Sequence, residues 1–198
     1  MRKNDSGWRE ILESDLRSMG LDTGWRWRFV LTNRVAWFVR RLRIAESGRS
    51  RAGLIPKIQY LVNRIWLDRI GERLGFDIPL GVFGPGLSIA HRGTIVVNGD
   101  SLIGPNCRIH PGVTIGASHG KAPIIGHDVF IGPNAVIIGP ITIGDGASIG
   151  PQAYVNFDVL PGQTCLAPRA TVKNIGTKPW NSSVAKIDSL IANTKSSS

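Results

Sequence analysis

Cysteine is scarce: the 198 residues hold two, Cys107 and Cys165. That is too few for a disulfide framework, and the pair lacks metal-site spacing, so both read as reduced core or near-core residues. Long apolar runs are missing as well. No stretch approaches the roughly 20 residues of a membrane-spanning helix, and the opening "MRKNDSGWRE" has no apolar segment of signal-peptide type. A cytoplasmic chain is expected. Acidic residues are outnumbered chiefly in the first part. Residues 1–76 hold 16 Lys/Arg against 8 Asp/Glu and residues 77–198 hold 8 against 6, which divides the net charge of +10 into +8 and +2. Trp8, Trp25, Trp27, Trp37 and Trp66, five of the six tryptophans, also precede Asp77, so a boundary is placed between residues 76 and 77. No reader motif accompanies the basic residues, and no nucleic-acid partner is expected. The arginines form either a solvated face or a patch for an anionic membrane surface.

Within residues 1–76 the pattern is helical. In "GWRWRFVLTNRVAWFVRRLRIA", residues 24–45, Trp27, Leu31, Val35, Phe38 and Leu42 are spaced by three or four, which is a helix stripe. After the loop "ESGRSRAG", Ile58, Val62, Trp66, Ile70 and Leu74 recur every fourth residue, predicting a second long helix that Gly75 closes.

From about residue 97 the period becomes six. Val97, Ile103, Ile109 and Ile115 form one series, and Ile125, Ile131, Ile137, Ile143, Ile149 and Val155 another. Compact residues recur four after each member of the second series, from Val129 and Ala135 to Ala153 and Val159. A six-residue period fits neither a heptad nor strand alternation. It fits a solenoid of short strands, three per turn, with each aliphatic side chain inside a narrow prism and Gly, Asn or Asp at the corners. Ile115 and Ile125 are ten apart rather than six, so four extra residues within "GASHGKAP" project as a loop, the place where rigid repeat scaffolds commonly carry function. Counting six backward from Val97 lands on His91, a histidine where the repeat expects an aliphatic residue.

The segments "GPGLSIAHRGTIVVN", "IGPNCRIHPGVTIG", "PIIGHDVFIGPNAVIIG" and "IGPQAYVNFDVLPG" resemble the left-handed β-helix hexapeptide-repeat acyltransferases, over roughly residues 55–172. Within them they resemble the serine O-acetyltransferase-like branch often found in polysaccharide biosynthesis. The resemblance implies a mainly β fold, a left-handed parallel β-helix with an N-terminal α-helical segment. It gives a basic helical segment over 1–76, a catalytic coil over 77–172 with its loop at 116–123, and a tail over 173–198 with a short helix through "SVAKIDSLIA". It also implies a homotrimer with active sites between subunits, and acetyl-CoA as co-substrate, with no metal.

By position, His91 is similar to the family's general base. A hydroxyl is a poor nucleophile until its proton is taken, and imidazole titrates close enough to neutrality to take it. The resemblance makes Asp77 the carboxylate that orients His91, although the segment from Asp77 to Gly84 is one residue shorter than the usual pattern. For CoA it implies Gly116, Ala117, Gly132 and Gly150, with Arg169 or Lys173 near the phosphates; for the acceptor it leaves His119 and Lys121. His110 and His127 read as structural, the first pointing outward and the second in a turn.

True serine acetyltransferases carry an acid before the base and Arg-His-Pro at the end of the loop. Here these are Ala90 and "KAP" at 121–123, which favours a sugar, a glycan precursor or another small hydroxyl acceptor over free serine. Serine O-acetylation proper stays open, as does a non-catalytic trimeric scaffold at a membrane surface. A zinc enzyme of the carbonic anhydrase type on the same fold is a further alternative, which the spacings of the four histidines do not resemble.

Overall fold

A computed structural model of the chain describes residues 7–21, 33–49 and 53–171. The chain divides into two units, 1–167 and 168–198, and the helices and the coil both belong to the first. Among the described residues three helices lead: α1 (Gly7–Ser18), α2 (Arg34–Gly48) and α3 (Leu54–Leu74). Asn33 starts α2, its side chain accepting from the Ala36 N–H at 3.0 Å, the usual cap for an orphan helical donor. Gly75 ends α3 at φ 80°, in the left-handed region that suits glycine.

Both helical stripes need revision. The described part of the first stripe is the helix Arg34–Gly48, which runs on into the expected loop; residues 24–32 of that stripe lie outside the described residues. Phe38 and Leu42 are buried as expected, while Trp27 and Leu31 lie outside the described residues. In α3, Ile70 and Leu74 are buried but Ile58, Val62 and Trp66 are exposed. A step of four overshoots a full helical turn by about 40°, so four such steps travel about 160° around the axis. The spacing therefore winds from solvent into the core.

Among the described residues thirteen short strands follow, all pairing in parallel on three faces. Face one stacks β1 (Phe76–Asp77), β3 (Ile95–Val97), β6 (Thr114–Gly116), β9 (Val136–Ile138) and β12 (Tyr154–Val155). Face two stacks β4 (Leu102–Ile103), β7 (Ile124–Ile125) and β10 (Thr142–Ile143), extended by bridges from Phe83 to Ile103 and from Ile143 to Val159. Face three stacks β2 (Ser88–Ile89), β5 (Arg108–Ile109), β8 (Phe130–Ile131), β11 (Ser148–Ile149) and β13 (Thr164–Cys165). This is a parallel β-solenoid of about five turns, consistent with a left-handed β-helix carrying an N-terminal helical segment. Ile109, Ile115, Ile131, Ile137, Ile143 and Ile149 point inward and are at most 1% exposed. Cys107 is buried and Cys165 half-buried, both free; burial alone pushes the Cys107 thiol up to about 12.

Register exposes two departures from the six-residue count. Val96 pairs with Thr114 eighteen residues on, but Thr114 pairs with Val136 after twenty-two, which places the four-residue insertion as read from the sequence. Ser88 pairs with Arg108 after twenty, so two extra residues lie between β2 and β3. The inward position over Ile109 is therefore held by Ile89, which is buried, and not by His91, which is exposed. His91 does not replace a core aliphatic residue. It sits in a lengthened corner that the repeat count alone conceals.

Candidate active site

Three corners join the faces, and two of them carry the candidate residues. The first corner follows face three. There Ala90, His110, Gly132 and Gly150 form a column in which each N–H donates to the next rung: Ala90 to the Ile109 carbonyl at 3.0 Å, His110 to Ile131 at 3.1 Å, Gly132 to Ile149 at 2.8 Å and Gly150 to Cys165 at 2.7 Å. His91 stands at the top of this column. Glycine at 132 and 150 has a structural cause of its own, because a Cβ would meet the Pro151 nitrogen at 2.8 Å in the first case and the Cys165 carbonyl oxygen at 2.9 Å in the second.

The turn carrying His91 is held from both sides. Gly93 N–H donates to the Leu74 carbonyl at 3.0 Å and Ile95 N–H to that of Gly75 at 2.8 Å, which ties the turn to the end of α3. From the next rung, Gly112 N–H donates to the Thr94 carbonyl at 2.6 Å. Gly93 adopts φ 141°, and a Cβ there would lie 2.8 Å from Cβ of Pro111. A lengthened turn thus keeps a fixed path, with the His91 side chain left to solvent.

His110 is half-buried, its ring 5.2 Å from that of Phe130 and its Nε2 buried without a hydrogen-bond partner among the described residues. Burial, then the charges of Arg108 and His91, hold its imidazole below the usual histidine range. Two histidines therefore share the first corner. The signal was available: the stretch "RIHPG" lies one coil after "SIAHRG", but only the correct register makes them neighbours.

The second corner lies across face one. It holds the inserted loop, where Ser118 N–H donates to the Lys121 carbonyl at 2.9 Å and Lys121 N–H returns to that of Ser118 at 3.1 Å. His119 and Gly120, at φ 52° and 73°, supply the positive angles of a two-residue hairpin turn. His119 is exposed at the tip, its Nδ1 2.9 Å from the Ser118 hydroxyl oxygen. Gly116 opens the loop paired to Ile138, Ala117 is exposed, and Lys121 is exposed at the hairpin's end. The "YVNFD" segment turns the same corner two rungs below, two residues shorter than the repeat, with Val159 over Ile143.

The structure therefore brings His91 together with His110, Gly132 and Gly150, and places Gly116, Ala117, His119 and Lys121 at the opposite edge of face one. Asp77 is exposed on β1, paired with Val96. Among the described residues, no hydrogen bond or ion pair links Asp77 to His91. Arg169 belongs to the second unit and Lys173 lies outside the described residues, as does the expected tail helix. His127 occupies the third corner, where Nδ1 lies 2.7 Å from Asp128 and Nε2 3.1 Å from Asp145. The Asp128 hydrogen bond first, then the Asp145 and Asp128 charges, outweigh desolvation and raise it above the usual histidine range. Among the described residues no group of three or more His, Cys, Asp or Glu could hold a metal ion.

Residues 122–156 match the model of the bacterial transferase hexapeptide family, six repeats. No curated protein matches the chain significantly. Similar solved structures include serine acetyltransferase from Neisseria gonorrhoeae in complex with serine, 29% identical, covering 85% of this chain and 70% of that one at a TM-score of 0.65. The soybean serine acetyltransferase apoenzyme is 27% identical over 84% of this chain and 69% of its own, TM-score 0.67. Entamoeba histolytica serine acetyltransferase 1, in complex with L-cysteine, is 22% identical over 81% and 63%, TM-score 0.64. This chain spans 63–70% of these three structures. Together the family match and the neighbours support an acyltransferase.

Proposed function

We propose that this protein is an acetyl-CoA-dependent O-acetyltransferase of the polysaccharide-biosynthesis type. It moves an acetyl group to a hydroxyl of a sugar, a glycan precursor or another small acceptor. His91 is the general base: its imidazole takes the hydroxyl proton as the oxygen attacks the thioester carbonyl. The tetrahedral intermediate then collapses, the C–S bond breaks, and the CoA thiolate leaves and takes up the proton, giving free CoA and the ester. The observation that carries this reading is the placement of His91, exposed on a pinned turn above Gly132 and Gly150.

The same geometry supports a homotrimer. His91 and the 116–123 loop lie at opposite edges of face one, so a site using both is completed by a neighbouring chain. Exposed apolar residues on the coil, Leu102 and Ile124 on adjacent rungs of face two and Val96 on face one, suit subunit contacts. In that assembly Gly116, Ala117, Gly132 and Gly150 line the CoA arm, and His119 and Lys121 meet the acceptor. Asp77, on the strand whose register sets it beside Val96, is the carboxylate that orients His91 in this reading. Cytoplasmic acetyl-CoA supplies the donor.

Serine O-acetylation is the second reading, favoured by the likeness to serine acetyltransferases. Against it stand Ala90 before the base and "KAP" at the end of the loop, which leave a substrate ammonium without an anion. Calorimetric titration with acetyl-CoA, with CoA as control, followed by mass spectrometry of mixtures with serine or with sugars, separates the two. Saturable donor binding and acetylation of a sugar, abolished in His91→Ala, is the expected result. Acetylation of serine instead selects the second reading, and a folded protein that binds no donor overturns both.

A further inference from the structure

The helix α3 is apolar on two sides. Leu67, Ile70 and Leu74 face the core and are buried, whereas Leu54, Ile55, Ile58, Leu61, Val62 and Ile65 are between 47% and 74% exposed. At about 100° per residue these six, with Trp66, fall within an arc of about 140° over the first three turns. A helix that is apolar all round is normally covered all round. Here nothing among the described residues covers the outer arc.

The sequence that leads into this arc and carries it is cationic. Residues 24–67 hold ten Lys/Arg against one acidic residue, Glu46, and Glu46 is already engaged with Arg43 at 2.9 Å. Asp68 and Glu72, the acids of α3, come after the apolar arc ends; Asp68 pairs with Arg64 at 3.1 Å, which leaves Lys57 as the cation of α3 on the flank of the arc. At the arc's edge Trp66 meets Trp37, ring centroids 6.5 Å apart, and the Arg41 guanidinium lies 5.6 Å over the Trp37 ring. Tryptophan and arginine of this kind keep an apolar body on hydrocarbon and a polar end in water. A second copy of the chain would bring like charge against like charge on this face, whereas an anionic surface complements it. No described helix is long and apolar enough to cross a membrane, so contact along the surface is the remaining geometry for such an arc in lipid.

We propose that the outer face of α3 seats this protein on an anionic phospholipid bilayer. The helix lies in the interface plane with Leu54, Ile58, Leu61 and Ile65 toward the acyl chains and Lys57 beside the headgroups. This surface is separate from the acyl-transfer corners, and its binding is read without activity.

Sedimentation of the full chain with phosphatidylglycerol/phosphatidylcholine vesicles, against phosphatidylcholine alone, tests it. Binding is expected with the anionic vesicles at about 0.1 M salt, where screening still leaves charge effective. The double variant Ile58→Glu/Leu61→Glu is expected to lose about tenfold or more in vesicle affinity, with acetyl-CoA titration and the thermal melt unchanged. These positions are solvent-facing, and Lys57→Glu gives an independent second variant with a smaller loss. A wild-type chain that stays in the supernatant, or a double variant that pellets as well as wild type, overturns the proposal. So does an assembly larger than a trimer that the double variant breaks while vesicles bind nothing, since the face is then a contact between copies.

Discussion

Asp15 and Arg43, twenty-eight residues apart on α1 and α2, form a buried ion pair that fastens the helices to the first coil. Arg43 Nε donates to Asp15 Oδ2 at 2.8 Å, and Asp15 Oδ1 accepts from the backbone N–H groups of Gly86 and Leu87, both at 2.8 Å. Arg43 also donates to the carbonyls of Phe83 at 2.9 Å and Gly84 at 2.7 Å. Burial works against its charge, but the Asp15 hydrogen bond and the Glu46 and Asp15 charges more than offset this and raise it. Every polar atom of the joint is thus occupied on both sides.

Removing one partner leaves the other charge buried and unpaired, which costs about 3–5 kcal/mol. Asp15→Ala is therefore expected to lower stability by that amount in urea unfolding, and Arg43→Met similarly. The double variant Asp15→Ala/Arg43→Met is expected to recover part of the loss, because neither fully buried charge is left without the other. Equal, additive losses would show that the pair does not act as a unit.

Gly93→Ala tests whether the lengthened turn sets the base. At φ 141° an alanine is strained, at a cost of about 1–3 kcal/mol, and its Cβ would press on Pro111 at 2.8 Å. The turn is expected to shift while the coil below it stays intact. Acetyl transfer should fall more than tenfold in kcat, since small misplacements of a catalytic group are costly, while donor affinity holds. Unchanged kcat would mean that His91 does not need this path.

The coil was legible because six-residue spacing has one physical solution, and every member of the series from Ile125 to Val155 points inward. The insertion was legible too, as a break from six to ten. The lengthened corner at His91 was not, because its two extra residues carry His91 into the phase of the later series by coincidence. Ile89, the true inward residue, was visible only through its pairing with Ile109. The helix α3 misled for a related reason: a strict spacing of four winds around the axis, and nothing in Ile58, Val62 and Trp66 distinguishes an uncovered face from a covered one. The Asp15–Arg43 joint had no pattern to read, since its partners are brought together only by tertiary structure.

The histidines should titrate in a definite order. His110 lies below the usual range and His127 above it, so in carbon-detected NMR titrations His127 is expected to protonate first as pH falls. The signs for stability are opposite. For His110, protonation is easier in the unfolded chain, so its neutral form contributes above the unfolded value near 6.5 and that contribution is lost as pH falls through the lower folded value. For His127 the contribution is present below the unfolded value and is lost as pH rises through the higher folded one. His127→Gln should therefore flatten the stability curve above the unfolded value near 6.5, and His110→Gln below it. The reverse order in the titration would contradict both environments.

Two defective chains should make one working enzyme. His91→Ala removes the proposed base at the first corner. Deleting residues 118–121 removes the hairpin at the second corner, and it restores the six-residue spacing between Ile115 and Ile125. The deletion joins a backbone already closed by the mutual Ser118–Lys121 hydrogen bonds, so the coil is expected to fold. Each variant alone should be inactive. If the site takes His91 from one chain and the loop from the next, an equimolar co-refolded mixture places both intact parts at about a quarter of the interfaces in a cyclic trimer. Recovery of about a quarter of wild-type activity is then expected, measured as release of free CoA with acceptor present. A mixture as inactive as its parents would mean that both parts must come from one chain, a requirement that their positions at opposite edges of face one make hard to meet.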